Sequence, residues 1–133
     1  MKRNVVLYLA TALVMLPLDL LFLGFVAKSF FTSQVGEMLG TLRVAPAVMF
    51  YLLYICGIII FVTGRPATTW QSAVLFGGLF GFFCYATFEL TSMSLLKHWT
   101  WPVVFVDIAW GTFVTAAAAT IGLLLTNWIV SKI

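Results

Sequence analysis

Three of the four acidic side chains in this 133-residue chain fall within long apolar segments. They are Asp19, Glu89 and Asp107. On insertion scales a carboxylate near the centre of a membrane costs on the order of 3 kcal/mol, so acids at such positions usually face the protein interior. Carboxyl groups that meet there either hold protons or bind a cation between them. The three acids therefore predict a binding site for a small molecule, a proton or a cation.

Aromatic side chains that can donate a hydrogen bond accompany these acids. Tyr51 and Tyr54 lie one helical turn apart, and we predict that their hydroxyl groups donate to a carboxylate. Trp110 follows Asp107 by about one turn, so its indole N–H either donates to a carboxylate or simply packs. These residues extend the predicted site beyond the acids themselves.

Small and polar residues recur every three or four positions in the last two apolar segments, which places them on one helical face. One face carries Gly78, Gly81, Tyr85, Glu89 and Ser92, and the other carries Asp107, Gly111, Thr115, Ala118, Gly122 and Thr126. Small residues allow membrane helices to approach closely. The predicted ligand- or ion-binding residues are Asp19, Glu89, Asp107, Tyr51, Tyr54, Tyr85, Ser92 and Trp110.

The sequence contains no pattern that assigns catalysis, a cofactor or a metal ligand. His98 is the only histidine, and Cys56 and Cys84 are the only cysteines. No metal-binding cysteine or histidine spacing occurs, and no phosphate loop or nucleophile–histidine pair is present. A hard-cation site built from the three acids is left open, although no spacing motif specifies one. We therefore interpret His98 as an interfacial residue and both cysteines as packing residues.

The composition indicates that lipid is the solvent of most of this chain. Hydrophobic residues make up 63% and charged residues only 8%, whereas charged residues are about a quarter of a soluble domain. The net charge of +3 comes from lysines and arginines scattered between the apolar segments, a pattern suited to lipid headgroups. We expect membrane lipid as a partner and no nucleic acid.

Four apolar segments are long enough to cross a bilayer, which needs about 20 helical residues. They span approximately residues 5–27, 45–62, 72–96 and 103–129. None shows the alternation of a membrane β-strand, so all are predicted to be helices. The predicted fold is an all-α membrane protein, a four-helix up-down bundle that forms one transmembrane domain over residues 1–133. Residues 28–44 are either a helix lying on the membrane surface or a loop packed over the bundle.

The depth of the acids follows from the alternating direction of the helices. At about 1.5 Å per helical residue, Asp19, Glu89 and Asp107 lie roughly 12, 10 and 6 Å below the same face of the membrane. The opposite face holds both termini and carries four basic residues against three, which favours cytoplasmic termini. The site is therefore predicted to lie in the half of the membrane away from the termini.

Four short stretches resemble an uncharacterised bacterial family of small four-helix inner-membrane proteins, and the resemblance runs over nearly the whole chain. They are Leu18-Asp19, Phe50 to Tyr54, Tyr85 to Thr91, and Asp107 to Thr112, which contains the Asp-x-x-Trp-Gly pattern of the family's last helix. The family pattern has tyrosine and aspartate where this chain has Phe88 and Glu89, so the acid is kept with a longer side chain. The resemblance implies four helices and the bacterial inner membrane, and carries no reaction.

Three functions fit these observations. The first is binding or transport of a small molecule, proton or cation, and for transport a homodimer is expected because four helices are few for alternating access. The second is an intramembrane enzyme that acts on lipid with one carboxylate as base and another as acid. The third is an accessory subunit that packs against a larger membrane protein.

Overall fold

The computed structural model describes residues 2–22, 24, 44–65, 68–96 and 99–132. The described residues form four helices: α1 (Lys2–Leu21), α2 (Val44–Ile58), α3 (Trp70–Leu95) and α4 (Trp101–Lys132). A π-helical turn, Ile59–Thr63, continues α2. All four segments are long and apolar enough to cross a membrane. The predicted all-α membrane protein is therefore confirmed.

Each helix begins before the apolar segment from which it was predicted, and α4 also ends after it. α1 begins at Lys2 instead of residue 5, and α4 continues to Lys132 instead of residue 129. Polar residues can continue a helix into the headgroup region. The hydropathy of a segment therefore indicates the part of the helix that lies in the hydrocarbon core, and not where the helix ends. Of the segment 28–44, predicted to be a surface helix or a packed loop, residues 28–43 lie outside the described residues and Val44 begins α2.

Local sequence signals account for two helix starts. The Thr69 side chain caps α3 by accepting a hydrogen bond of 3.1 Å from the backbone N–H of Ser72, which satisfies one of the donors left free at a helix start. Pro102 occupies the first turn of α4, where its missing N–H leaves no helical bond unmade. Both starts orient the helices that carry Glu89 and Asp107.

Helices α3 and α4 pack antiparallel through the two faces predicted from small residues. A Cβ atom at Gly77 would lie 3.1 Å from that of Ala119, and one at Gly81 would lie 2.6 Å from the Thr115 hydroxyl oxygen. Nearer the acids, the Tyr85 ring lies directly against Gly111. The absent side chains let the two backbones approach closely, which sets the positions of Glu89 and Asp107.

Helix α4 also packs antiparallel against α1. A Cβ atom at Gly122 would lie 2.6 Å from the Thr11 hydroxyl oxygen, and near the opposite end of α1 the Trp110 indole reaches Asp19. Because α4 is the main neighbour of both α1 and α3, it is the central helix of the described bundle. The site residues on α1 and α3 therefore take their positions from α4.

Helix α2 stands further from the rest of the bundle and makes few close backbone contacts with it. It is held by long side chains: the Tyr8 hydroxyl donates to the Leu52 carbonyl at 3.0 Å, and the Tyr54 hydroxyl pairs with that of Thr115 at 2.6 Å. Arg3 also reaches the carbonyl of Thr63 at 3.5 Å, so α1 and α2 run antiparallel. This spacing leaves room for a cavity between α2 and the other three helices.

Candidate functional site

A cavity of ≈ 310 Å³ lies between the helices in the half of the bundle that contains the acids. All four helical regions contribute to its wall. Helix α1 contributes Asp19, and Phe22 follows directly after this helix. The other lining residues are Phe50, Tyr51 and Tyr54 from α2, Cys84, Tyr85 and Phe88 from α3, and Asp107 and Trp110 from α4. The wall is thus mainly aromatic and carries two carboxyl groups.

The Asp19 carboxyl group is held from across the bundle. Its side chain is 4% exposed, and the Trp110 indole N–H donates to its Oδ1 at 2.9 Å. The Tyr51 hydroxyl is also within hydrogen-bonding reach of this carboxyl group. The Trp110 ring is fixed in turn by stacking on Phe22, with centroids 4.3 Å apart and an interplanar angle of 6°. Asp19 is therefore a buried acid with two donors and a set orientation.

Glu89 lies behind the cavity wall. It is 1% exposed, and the Trp99 indole N–H donates to its Oε1 at 2.8 Å. No described donor contacts its other oxygen, Oε2, which is buried. The Asp107 carboxyl group is within hydrogen-bonding reach of the Glu89 carboxyl group. Asp107 therefore faces the cavity on one side and Glu89 on the other.

Tyr54 and Tyr85 form the floor of the cavity. The Tyr54 hydroxyl bonds to the Thr115 hydroxyl, so the prediction that it donates to a carboxylate is wrong. Thr115 lies on the small-residue face of α4, close enough to α2 for its hydroxyl group to pair with that of Tyr54. The Tyr85 ring meets Tyr54 edge to face, with centroids 6.1 Å apart, and rests on Gly111.

The structure brings six of the eight predicted site residues to one cavity and leaves two off its wall. Those on the wall are Asp19, Tyr51, Tyr54, Tyr85, Asp107 and Trp110. Glu89 is next to the wall residue Asp107, and Ser92 does not line the cavity. His98, interpreted from the sequence as an interfacial residue, lies outside the described residues, as do the basic residues Lys28, Arg43 and Lys97.

Sequence reasoning missed the apolar part of the wall and one partner of the acids. Phe22, Phe50, Phe88 and Cys84 line the cavity, but in a membrane protein an inward phenylalanine has the same character as one facing lipid. The partner is Trp99, whose indole N–H donates to Glu89. Trp99 follows the end of α3, so helical spacing does not relate it to Glu89.

The chemistry of the described lining suits an organic cation better than a metal ion. Two carboxyl groups supply negative charge, and no lysine, arginine or histidine is among the described residues of the wall. Within the described part of the chain no three histidine, cysteine, aspartate or glutamate side chains are arranged to hold a metal ion. The faces of the aromatic rings instead attract cations through their quadrupoles.

The Tyr54–Thr115 hydrogen bond provides a first prediction. Neutral interhelical hydrogen bonds in membrane proteins average about 0.6 kcal/mol and reach about 1.7. We expect Tyr54→Phe and Thr115→Val each to lower the free energy of unfolding by about 1 kcal/mol. Each variant removes one hydroxyl group and leaves the other hydroxyl group of the pair buried without its partner. The double variant should cost little more than either single one. Unfolding in mixed detergent micelles measures this, and additive losses would show that the bond contributes nothing.

A family model described as "Predicted membrane protein (DUF2177)" matches residues 4–124 of the chain. The matched range includes every residue on the cavity wall, together with Glu89 and Trp99. No curated protein and no solved structure matches the chain. The comparisons therefore support an integral membrane protein and add no activity to the chemistry of the cavity.

Proposed function

The chain belongs to the DUF2177 family of predicted membrane proteins, and we propose that it binds a small organic cation within the membrane. The observation that carries this proposal is the placement of two carboxyl groups, Asp19 and Asp107, on the wall of an aromatic cavity of ≈ 310 Å³. Its volume is near the lower end of small-molecule pockets, which run from about 300 to 1,000 Å³. A small ligand with one charged end fits this arrangement.

The aromatic wall favours an amine or a quaternary ammonium group over a metal ion. An ammonium group over an aromatic ring gains about 0.5 to 2 kcal/mol, more when both are removed from water. A metal ion needs several oxygen ligands at short range, and the described acids do not offer that arrangement. The ligand's apolar part would pack against phenylalanine and tyrosine rings while its charge lies near Asp19 and Asp107.

Two residues of the cavity wall are also exposed on the outer surface of the described bundle, which favours a ligand that enters from the lipid. Phe50 on α2 is 48% exposed and Phe88 on α3 is 56% exposed, yet both line the cavity. The cavity therefore reaches the outer surface of the described bundle between α2 and α3. A ligand that dissolves in the bilayer can enter sideways by this path.

The other two functions have less support from the site. For an intramembrane enzyme, the wall holds the two acids that acid–base catalysis needs, but the aromatic rings around them favour a bound cation. For an accessory subunit, the exposed apolar faces of the helices are those that lipid covers. Transport through a homodimer, the inner membrane and cytoplasmic termini stay predictions from the sequence.

Ligand titration of the purified protein in lipid nanodiscs tests the proposal. The probe is hexyltrimethylammonium, compared with its neutral analogue in which carbon replaces nitrogen. We expect the cation to bind and Asp19→Asn and Asp107→Asn each to weaken it by about 10- to 100-fold, since a charged hydrogen-bonded or ionic partner contributes about 1.5 to 3 kcal/mol. The neutral analogue should bind more weakly and respond little to either variant.

Asn127→Ala provides the matched control, because Asn127 is exposed near the far end of α4. It should bind the cation as the wild type does. Equal affinity of the wild type for the cation and the neutral analogue would contradict the proposal. So would unchanged cation binding in both aspartate variants.

A further inference from the structure

We infer that the Glu89 and Asp107 carboxyl groups share one proton, and that a cation entering the cavity displaces this proton from Asp107. Binding would then be an exchange of one cation for one proton. The exchange rests on the proposed cation binding, whereas the sharing of the proton is a property of the empty site. Glu89 is, in this view, a positioning residue that acts through Asp107.

The contacts of Glu89 favour a proton between the two acids. Oε1 of Glu89 accepts from Trp99, and its buried Oε2 has no donor among the described residues. The neighbouring group is the Asp107 carboxyl, and an ionised carboxylate has only acceptor oxygens. Two ionised groups at this contact would repel each other and leave Oε2 unsatisfied in a site that water reaches poorly. One shared proton removes both costs.

The two members of the pair have different access to a ligand. Asp107 is on the cavity wall, whereas Glu89 is 1% exposed behind it. A cation in the cavity therefore meets the Asp107 oxygen and does not touch Glu89. Because a positive charge near Asp107 stabilises its ionised form, ligand binding and proton binding at this group oppose each other.

The groups that face the pair contain no opposing charge in the described structure. Asp19 faces it from α1, Tyr51 from α2 and Tyr85 from α3. Tyr54 and Cys84 line the same cavity. Lys97 and His98 follow α3 outside the described residues. Asp19 is thus the one further acid within the site, and it already has donors in Trp110 and Tyr51.

The exchange keeps the charge of the site constant. One positive charge enters as the cation, and one positive charge leaves as the proton that was held between Glu89 and Asp107. The net charge of the three carboxyl groups and their contents is the same before and after. A buried site in a medium of low dielectric constant tolerates such a swap better than a change of net charge.

Calorimetric titration in buffers with different protonation enthalpies counts the protons released. Hexyltrimethylammonium is the probe because its charge does not titrate, so every proton comes from the protein or its lipid. We expect the wild type in nanodiscs to release about one proton per cation and its affinity to rise up to about tenfold per pH unit over the range in which the pair keeps its proton. Cation binding by the wild type without proton release, and without pH dependence, would overturn the exchange.

The Glu89→Gln variant tests whether Glu89 shares a proton with Asp107 or only supports the structure. The amide N–H of glutamine can donate to Asp107 permanently, so Asp107 stays ionised without a shared proton. The variant should still bind the cation but release no proton, and its affinity should not change with pH. Asp19→Asn is the matched control: it should bind more weakly and still release about one proton. Proton release by Glu89→Gln equal to that of the wild type would also contradict the inference.

Infrared spectroscopy of the ligand-free protein distinguishes the failure of this inference from that of the proposed function. A shared proton gives a protonated carboxyl band in the wild type that is lost in Asp107→Asn and in Glu89→Gln. If the band is present but no cation binds, the shared proton is supported, whereas the exchange and the proposed function are both overturned. Its absence from the wild type would overturn the inference even if cations bind.

Discussion

Replacing Gly111 with alanine is expected to lower the free energy of unfolding by about 3 kcal/mol, the upper part of the usual range for overpacking. A Cβ atom at this position would overlap the first atoms of the Tyr85 ring. These atoms are close to the Tyr85 backbone, so a simple rotation of the side chain cannot move them away. Either α3 and α4 separate or the ring is driven into the cavity. Unfolding in mixed detergent micelles measures the loss.

Gly78→Ala is the matched control because it makes the same change at the same helix interface. A Cβ atom there would lie 3.7 Å from the Thr112 methyl carbon and 3.9 Å from the Ala116 Cβ, which is ordinary contact. This variant should be as stable as the wild type or slightly more stable, since alanine favours a helix over glycine by up to about 1 kcal/mol. In a Tyr85→Ala background, Gly111→Ala should cost much less than it does in the wild type. Equal stability of Gly78→Ala and Gly111→Ala would show that the two helices do not meet at Gly111 as described.

The packing at Gly111 also shows which part of the fold can be predicted from the sequence. Small residues at helical spacing in the last two apolar segments predict two matching faces, and the structure packs Gly81, Gly111 and Thr115 along them. The depths of Asp19 and Asp107 follow from helix length and direction, and both acids reach one cavity. Both inferences depend only on periodicity and on distance along a single helix.

Contacts between helices are where the sequence is insufficient. The position of Trp110 along its own helix relates it to Asp107, but its indole donates to Asp19 on α1. Tyr54 similarly bonds to Thr115 on α4. Helical spacing identifies the residues that share a face, and it does not identify the neighbouring helix that this face meets. The distance of α2 from the bundle adds to the problem, because it depends on the combined bulk of aromatic side chains.

The Trp110–Asp19 contact provides the second prediction in which a large effect is expected. Trp110→Phe removes the indole N–H that donates to Asp19 at 2.9 Å and leaves an aromatic ring to stack on Phe22. Asp19 is 4% exposed, so water does not readily replace the lost donor. We expect the free energy of unfolding to fall by about 2 to 3 kcal/mol, since a hydrogen bond to a charged group contributes about 1.5 to 3.

Trp128→Phe is the matched control, because Trp128 lies on the same helix but is 62% exposed. It should change the free energy of unfolding by less than about 0.5 kcal/mol. Asp19→Asn should reduce the cost of Trp110→Phe, since a neutral amide without its donor is less costly to bury than a carboxylate. A loss near 0.6 kcal/mol, the average for neutral interhelical hydrogen bonds in membranes, would contradict the prediction.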